Sequence, residues 1–474
     1  MVTSTQRRVV LLLLIIVFIG LFLRFNDLSS ESIWVDEAFT YHYTTLGWNE
    51  LFDILIYNDV HPPLFYILEN SFTSVFGTAE FMMRFVPMLF GFLSVIMMFL
   101  FVKELYGSKV GLVSALFFSL SSVLIYYSQE AKMYSMFMFL FLFSLYFFVK
   151  FLKDASTKNA LFLILGNGAL LYTHVLSYVV ITFEIFVYLV IHYVNRVHSI
   201  KWFGCRTNIR KFMLLLAGMI LLYVPWIPIA FTQISWLLST ILSLKFMYKF
   251  GFDGFTYLLW FAIMCTIVFV ITVFIVLRKK KVVDYISSCT MSNTVFILIF
   301  LGFLIFSVVY HDFLFSNSPL IRYSHFMLPL VYLFFARKMV DLKKLFVVLL
   351  FLYLLVSSFV LVQYYTTDIK EQWRETSEFV SADYSDGIMF NTAKHTWWAF
   401  NYYYDGTLPQ LRLNEVSDKV LIPQFVSDKE MVHLILSHNY ETHDFFVHEM
   451  SQHTLINVQE FVGITVYTYD INND

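Results

Sequence analysis

The chain has 474 residues, 59% of them hydrophobic and 20% aromatic, with only 14% charged, a mean hydropathy of +0.70 and a formal net charge of −2. A soluble globular domain carries about 25% charged residues, so the composition excludes one and describes an integral membrane protein. The balance is close to neutral and no basic patch is interleaved with aromatics, so nothing points to nucleic acid as a partner.

The first apolar stretch, residues 9–23, has the look of a signal-peptide core. Arg24-Phe25-Asn26-Asp27 follows it in place of a small-residue cleavage site, so it reads as an uncleaved first span. Between Arg24 and Arg84 lie nine carboxylates (Asp27, Glu31, Asp36, Glu37, Glu50, Asp53, Asp59, Glu69 and Glu80) and not one Lys or Arg. Lys and Arg accumulate on the cytoplasmic side of a span, so this loop, residues 26–80, is expected on the other face. Two of its acids are adjacent in Trp34-Val35-Asp36-Glu37, and His61-Pro62-Pro63-Leu64 follows. With no basic residue near in sequence, the pair is poorly placed for a structural ion pair and well placed for acid–base chemistry.

The basic clusters then count the crossings. Arg7/Arg8, Lys103/Lys109, Lys150/Lys153/Lys158, Arg196 through Lys211, Arg278 to Lys281 and Arg337 through Lys344 hold 20 of the 32 Lys and Arg residues. If all are cytoplasmic, an even number of spans separates neighbouring clusters. Taking roughly 20 apolar residues per span gives about eleven spans, N-terminus in and C-terminus out. External turns are expected at Tyr126-Tyr127-Ser128-Gln129-Glu130, near His174, and around Tyr310-His311-Asp312 and Ser318 to Tyr323. The last span covers about 345–362. The three cysteines, Cys205, Cys265 and Cys289, lack both metal-site spacing and a place for an exported disulfide.

After Gln363 the chain turns polar. Amphipathic pieces at 371–382 and 443–452 alternate with strand-like runs at 387–390, 420–422, 432–436 and 463–467. The fold class expected is therefore a polytopic α-helical membrane protein in two domains. Residues 1–363 form the membrane domain, and residues 364–474 form a small extracytoplasmic α/β domain.

Under this topology the polar residues of the apolar half gather at one face: Asp36, Glu37 and His61, Arg84 at the head of the second span, Glu130 and Lys132, His174, and Arg322. Ionisable groups at span ends are costly and tend to line a polar cavity. A carboxylate there can take a proton from an acceptor hydroxyl, while cations hold the charge developing on a phosphate leaving group. The cytoplasmic loops are short, with no Gly-rich phosphate loop and no Asp-x-Asp pair, so an activated substrate has to arrive as a lipid-linked phosphate.

Asp36-Glu37-Ala38 followed by His61-Pro62-Pro63-Leu64 resembles the GT-C membrane glycosyltransferases, in the branch holding protein O-mannosyltransferases and lipid A aminoarabinose transferases (glycosyltransferase family 39 and relatives). Further matches run in order: Ala79 to Arg84, Tyr127-Ser128-Gln129-Glu130-Ala131-Lys132-Met133-Tyr134, Tyr172-Thr173-His174, Arg322-Tyr323 with Pro329, and Glu371-Gln372-Trp373-Arg374. The resemblance implies an inverting transfer of one sugar from a polyprenyl phosphate to a hydroxyl of a lipid, glycan or protein, on the external face of a plasma membrane, in a prokaryote. It implies Asp36 as general base, with Glu37 and Glu130 as further catalytic acids. His61, Arg322, Arg84, Lys132, Tyr127, Tyr323 and His174 are then donor or phosphate contacts. It fixes no cofactor and leaves a divalent metal open. In the aminoarabinose branch the residue before the two prolines is usually Lys; His61 departs from this, and a neutral His holds phosphate less strongly. The extra external domain of the protein mannosyltransferases has no room here, which weakens the case for a protein acceptor.

Plainer readings compete. Asp36 and Glu37 can cap a surface helix, Glu130 can pair with Lys132 or Arg84, and His61 can shape a turn. His174 can be a satisfied interfacial residue, Arg84 and Lys132 can be interface anchors, and Arg322 can pair with Asp312. Glu184 reads as paired within the bundle, and the tail histidines His433, His438, His443, His448 and His453 as a solvated face. The rival function is a transporter or flippase of lipid-linked sugars with the acids as a proton site, though neither inverted repeats nor midplane charges stand out. A second rival is a polymerase or ligase that moves whole glycans.

Overall fold

A computed structural model describes residues 3–198, 208–233, 278–279, 325–343, 345–383, 387–392, 396–413, 415–426, 429–438 and 440–471. The chain opens with α1 (Ser4–Phe25), a helix apolar all round whose start is closed by a Thr3/Gln6 capping box. Three short helices follow, α2 (Val35–Thr44), α3 (Trp48–Tyr57) and α4 (Leu64–Phe76). Then come α5 (Glu80–Tyr106), α6 (Ser108–Ser119), α7 (Ser122–Tyr126), α8 (Tyr134–Lys153), α9 (Thr157–Leu171), α10 (Ser177–His198) and α11 (Ile209–Tyr223).

Among the described residues, six helices are long and apolar enough to cross a membrane: α1, α5, α8, α10, α11 continued to Gln233, and Phe346–Thr366. Three other expected spans, α6, α9 and the helix Leu328–Asp341, are only 12, 15 and 14 residues long. The two further crossings expected between residues 234 and 324, and all three cysteines, lie outside the described residues. In a bilayer every backbone polar group must be satisfied within its own segment, and uniformly apolar helices achieve that. α5 and α8 form the enclosed centre, while α1 and Phe346–Thr366 leave most of their surface to lipid.

Close packing at the centre has local causes. Gly166 of α9 lies so near α8 that a Cβ there would sit 2.8 Å from the Phe143 ring. Beside it, Ser144 Oγ lies 2.5 Å from Asn167 Oδ1 and 2.6 Å from Glu184 Oε1, and Asn167 Nδ2 donates to Glu184 Oε2 at 2.7 Å. The mid-span carboxyl is thus tied into a buried polar knot joining α8, α9 and α10, as a polar group in hydrocarbon requires.

The C-terminal segment carries a five-stranded sheet of order β2-β1-β3-β5-β4. Its strands are β1 (Gly387–Asn391), β2 (Gln410–Arg412), β3 (Met431–Ser437), β4 (Thr454–Phe461) and β5 (Ile464–Asp470). β1 pairs parallel with β2 and β3, while β5 runs antiparallel to β3 and β4. Gly463 supplies the positive φ of +74° in the hairpin between β4 and β5. The expected strand at 420–422 is instead helical, because Pro423 has no N–H for a ladder and fits the first turn of the helix Ile422–Val426. β2 and β4 were not expected.

Alternation splits the sheet residues between two cores. Ile388, Phe390, Val432, Leu434 and Leu436 meet Phe446 and Met450 on one face. On the other, Met389, Ile435 and Val466 meet Trp373, Val380 and Phe400, together with Ile33, Val35 and Ala38. The second core therefore draws on the first loop as well as the tail. The rise in polarity after Gln363 marks the end of a span, and α2, from the first loop, packs as part of the layer that covers the sheet.

Candidate active site

Helix α2 begins after the extended residue Trp34, and both Asp36 and Glu37 fall in its first turn, where the exposed amides favour negative charge. Neighbouring helix positions point about 100° apart, and here that separates the two acids. Glu37 is fully buried, while Asp36 is half-buried.

Arg84 Nε and Nη2 each donate to the Glu37 carboxylate at 2.7 Å, Lys370 Nζ donates at 3.1 Å, and the Ala131 amide donates at 2.9 Å. Burial alone would raise the Glu37 carboxyl. The charges of Arg84 and Lys370, with hydrogen bonds from Arg84 and Ala131, outweigh it and hold the group down at about 2. Every N–H of Arg84 is spent: Nη1 donates to the carbonyls of Leu28 and Glu31, and Nη2 also donates to that of Ser32. Arg84 therefore anchors the first loop, with no donor left for a phosphate, and Glu37 is an acid committed to structure.

The tail completes the anchor. Lys370 also donates to the Gln129 carbonyl at 2.9 Å, and the Glu31 carboxylate accepts from the amides of Ile369 and Lys370. Arg374 pairs with Glu80 at 2.5 Å and donates to the carbonyls of Ser29 and Ser30. Trp373 Nε1 donates to Glu371 at 2.6 Å, and Ser32 Oγ donates to Glu375 at 2.9 Å. The run Glu371-Gln372-Trp373-Arg374 thus clamps the loop that presents Asp36.

A second acid, Asp59, organises the neighbouring cluster. It accepts from the Tyr43 hydroxyl at 2.8 Å, the His61 amide at 2.9 Å and the His61 ring at 2.7 Å. Burial would raise the Asp59 carboxyl; the His61 charge and hydrogen bonds, with Lys132 nearby, hold it well below the usual carboxylate range. Pro62 and Pro63 need no amide partner, and α4 starts directly after them with the Leu64 amide bonded to the Tyr172 carbonyl. His61 is thereby fixed against the turn that carries His174.

His174 is buried, and its Nδ1 accepts from the Leu176 amide at 3.1 Å, which puts the proton on Nε2. Burial, with His61 and His325 nearby, pushes its pKa well below the ordinary value, so it offers a neutral N–H. Rings run on from it in a chain. His174 stands 6.1 Å from His61 and 6.2 Å from Tyr134, Tyr134 stands 5.2 Å from Tyr127, and Tyr127 stacks on His325 at 4.3 Å.

Tyr66 joins the two acids. Its ring stands 5.0 Å from that of Tyr43, the Lys132 ammonium lies 5.8 Å from its face, and its hydroxyl feels both Asp59 and Asp36. Lys132 is itself only 6% exposed. One turn along α4 sits Glu69, fully buried and without a hydrogen-bond partner among the described residues. Burial, with Glu37 nearby, pushes its carboxyl well above the usual range.

The fold thus brings Asp36, His61, Tyr127, Lys132 and His174 around one cluster. Buried Glu130 is on the Lys370 side, close enough for its charge to act on that ammonium. Arg322 and Tyr323 lie outside the described residues. Five contributors escaped the sequence reading as site residues: Asp59, Tyr66, His325, Lys370 and His438. His438 belongs to the tail histidines expected on a solvated face, yet it sits beside the site. It follows β3 with a φ of +56°, its Nε2 lies 2.5 Å from Glu371, and that bond, with Asp36 nearby, raises its pKa. His433, in the same expected group, is buried in β3 against Thr468. Lys370, Asp59 and His438 left a trace in sequence, the first as the cation next to the Glu371–Arg374 run, the second as one of the nine loop acids and the third as one of the tail histidines. Among the described residues no group of His, Cys, Asp and Glu has a metal-binding arrangement.

The family model described as dolichyl-phosphate-mannose-protein mannosyltransferase matches residues 60–229, just over a third of the chain. No curated protein sequence matches. Among solved structures, apo ArnT from Cupriavidus metallidurans is similar at 11% identity and a TM-score of 0.54, covering 98% of both chains. The oligosaccharyltransferase AglB from Archaeoglobus fulgidus, in complex with an inhibitory peptide and a dolichol-phosphate, is similar at 10% identity and a TM-score of 0.53, covering 98% of this chain and 74% of its own. At such identities the likeness is one of fold: a membrane protein that resembles the GT-C glycosyltransferases of the protein mannosyltransferase and ArnT branch.

Proposed function

We propose that the protein is a membrane glycosyltransferase that moves a sugar from a polyprenyl phosphate to an acceptor hydroxyl. The reading rests on one observation, the division of labour between the paired acids. Glu37 is saturated by Arg84, Lys370 and Ala131, and this holds Asp36 half-buried next to a cluster that carries Lys132, His61 and the neutral His174 N–H. A base needs a carboxylate within reach of the acceptor hydroxyl, and a phosphate leaving group needs donors beside it.

In the reaction Asp36 takes the proton of the acceptor hydroxyl as the oxygen attacks the anomeric carbon from the side opposite the phosphate. The bond between that carbon and the phosphate oxygen breaks, the configuration inverts, and the electron pair leaves with the polyprenyl phosphate. Lys132 and His61, with Arg322, hold the departing charge. Tyr66 and His174 orient the sugar–phosphate, and Glu130 serves the charge balance around Lys370. The chemistry faces the extracytoplasmic side, and the acceptor is a lipid, a glycan or a protein.

The test is Asp36→Asn, assayed in detergent with a panel of synthetic polyprenyl-phosphate hexoses and pentoses. The wild type is expected to release polyprenyl phosphate and form an inverted product, and the variant to release none while keeping its thermal midpoint. Near-normal transfer by the variant removes Asp36 from the role of base. Passage of intact donor across vesicles without any glycosidic bond change supports a transporter instead.

A further inference from the structure

The far end of the bundle carries a cleft of its own. It has a volume of about 550 Å³ and lies where α5 and α8 end and α9 begins, lined by Glu104, Phe147, Lys150, Lys153, Lys158 and Phe162 among others. Its α8 lining, Tyr146 to Lys153, begins 12 residues along that helix from Tyr134 and runs to its far end, a rise of about 18–28 Å. It therefore belongs to the opposite membrane face and plays no part in the chemistry around Asp36.

Its charges are not balanced internally. Lys153 is tied to Glu104 at 2.8 Å. Lys150 reaches only the Tyr146 hydroxyl, at 3.4 Å, and among the described residues neither Lys150 nor Lys158 forms an ion pair. Asp154 is the one other acid of the lining. The negative pole of α8 explains lysines in its last turn, Lys150 and Lys153. The dipole gives no such reason for Lys158, which belongs to the basic cluster of this membrane face but occupies the first turn of α9, where the helix end is already positive. A lysine added to a helix N-terminus is unfavourable alone and favourable with an anion between them.

The remaining wall is aromatic. Phe147 and Phe162 stack at 4.7 Å, and Phe143 continues the row 4.7 Å from Phe147, one turn deeper into the bilayer along α8. All three are half-buried, so the row lies open to lipid chains. A cationic mouth over an apolar wall at a membrane surface matches an anionic headgroup with its chains attached. A free anion would have no use for the row of rings.

We propose that this cleft binds the phosphate headgroup of an anionic membrane lipid, with Lys150, Lys158 and the α9 N-terminus on the phosphate and Phe147 and Phe162 along the first acyl carbons. The proposal is independent of the transferase reading. The test uses the full chain in neutral detergent and native mass spectrometry, titrating phosphatidylglycerol, phosphatidylcholine and glycerol 3-phosphate in separate arms. Phosphatidylglycerol is expected to be retained in preference to phosphatidylcholine and to bind roughly thirtyfold more weakly to Lys150→Gln/Lys158→Gln, the effect of two surface lysines. Lys150→Arg/Lys158→Arg is expected to keep the preference, which guards against misfolding of the first variant. Equal retention of both lipids, unchanged binding in the Gln variant, or loss in the Arg variant overturns the proposal. So does full displacement of phosphatidylglycerol by equimolar glycerol 3-phosphate, which would make this a site for free phosphate.

Discussion

Glu37→Gln probes the centre of the structure. The substitution keeps the shape of the side chain but removes the charge that compensates Arg84 and Lys370, both nearly inaccessible. Removing one partner of a buried ion pair costs about 3–5 kcal/mol, because the other partner is left uncompensated. An independent route gives a similar size. The carboxyl is held at about 2 against an ordinary value of 4.5, and a difference of that size corresponds to about 3 kcal/mol. The sign follows from the direction. A folded-state pKa below the unfolded one contributes stability that is complete above the unfolded value and is lost as pH falls through the folded one. The deficit of Glu37→Gln is therefore largest at neutral pH and narrows towards pH 3. Thermal unfolding in detergent, followed by tryptophan fluorescence, should show a midpoint lowered by roughly 3–5 °C at pH 7. Adding Lys370→Met should recover part of the loss by removing one stranded cation. A variant as stable as the wild type at pH 7, or a deficit that grows on acidification, would falsify the account of Glu37 as the neutralising hub.

Glu69 behaves oppositely, because burial raises its carboxyl. Its folded state binds the proton more tightly, so wild-type stability falls as pH rises above the ordinary carboxylate range. Glu69→Gln should match or exceed the wild type at pH 8 and converge with it at pH 4; a variant weaker at pH 8 only would mean that Glu69 is ionised and paired. His438 sits at a φ of +56°, which Asn tolerates and Ala does not. His438→Ala should unfold more easily than His438→Asn by about 1 kcal/mol, while both lose the Glu371 contact; equal stability would show that the backbone there is unstrained. Gly91 of α5 lies where a Cβ would come within 2.1 Å of Ser128 Oγ and 2.6 Å of Ser128 Cβ. Gly91→Ala should therefore cost about 1–3 kcal/mol and displace the 127–133 segment; an unaltered thermal midpoint would contradict so close a contact.

Local pattern carried a good deal of this protein. Hydropathy located the long spans, since a run of apolar residues between basic clusters suffices to mark a helix in a bilayer. The absence of Lys and Arg from 25–83 singled out the loop that bears Asp36 and His61. Short strand-like runs marked β1, β3 and β5, while a proline defeated the same reasoning at 420–422. What no local pattern could reveal was which acid of the pair is buried in the ion-pair hub. Asp36 and Glu37 are equivalent as letters. They differ because Arg84, Ala131 and Lys370, which lie 47, 94 and 333 residues along the chain from Glu37, converge on it and leave Asp36 at the edge. The loop that seemed to lack cations receives them from a span and from the tail, and the tail shares a core with the loop. Periodicity records which face of an element is buried, and only the folded chain decides which charges meet there.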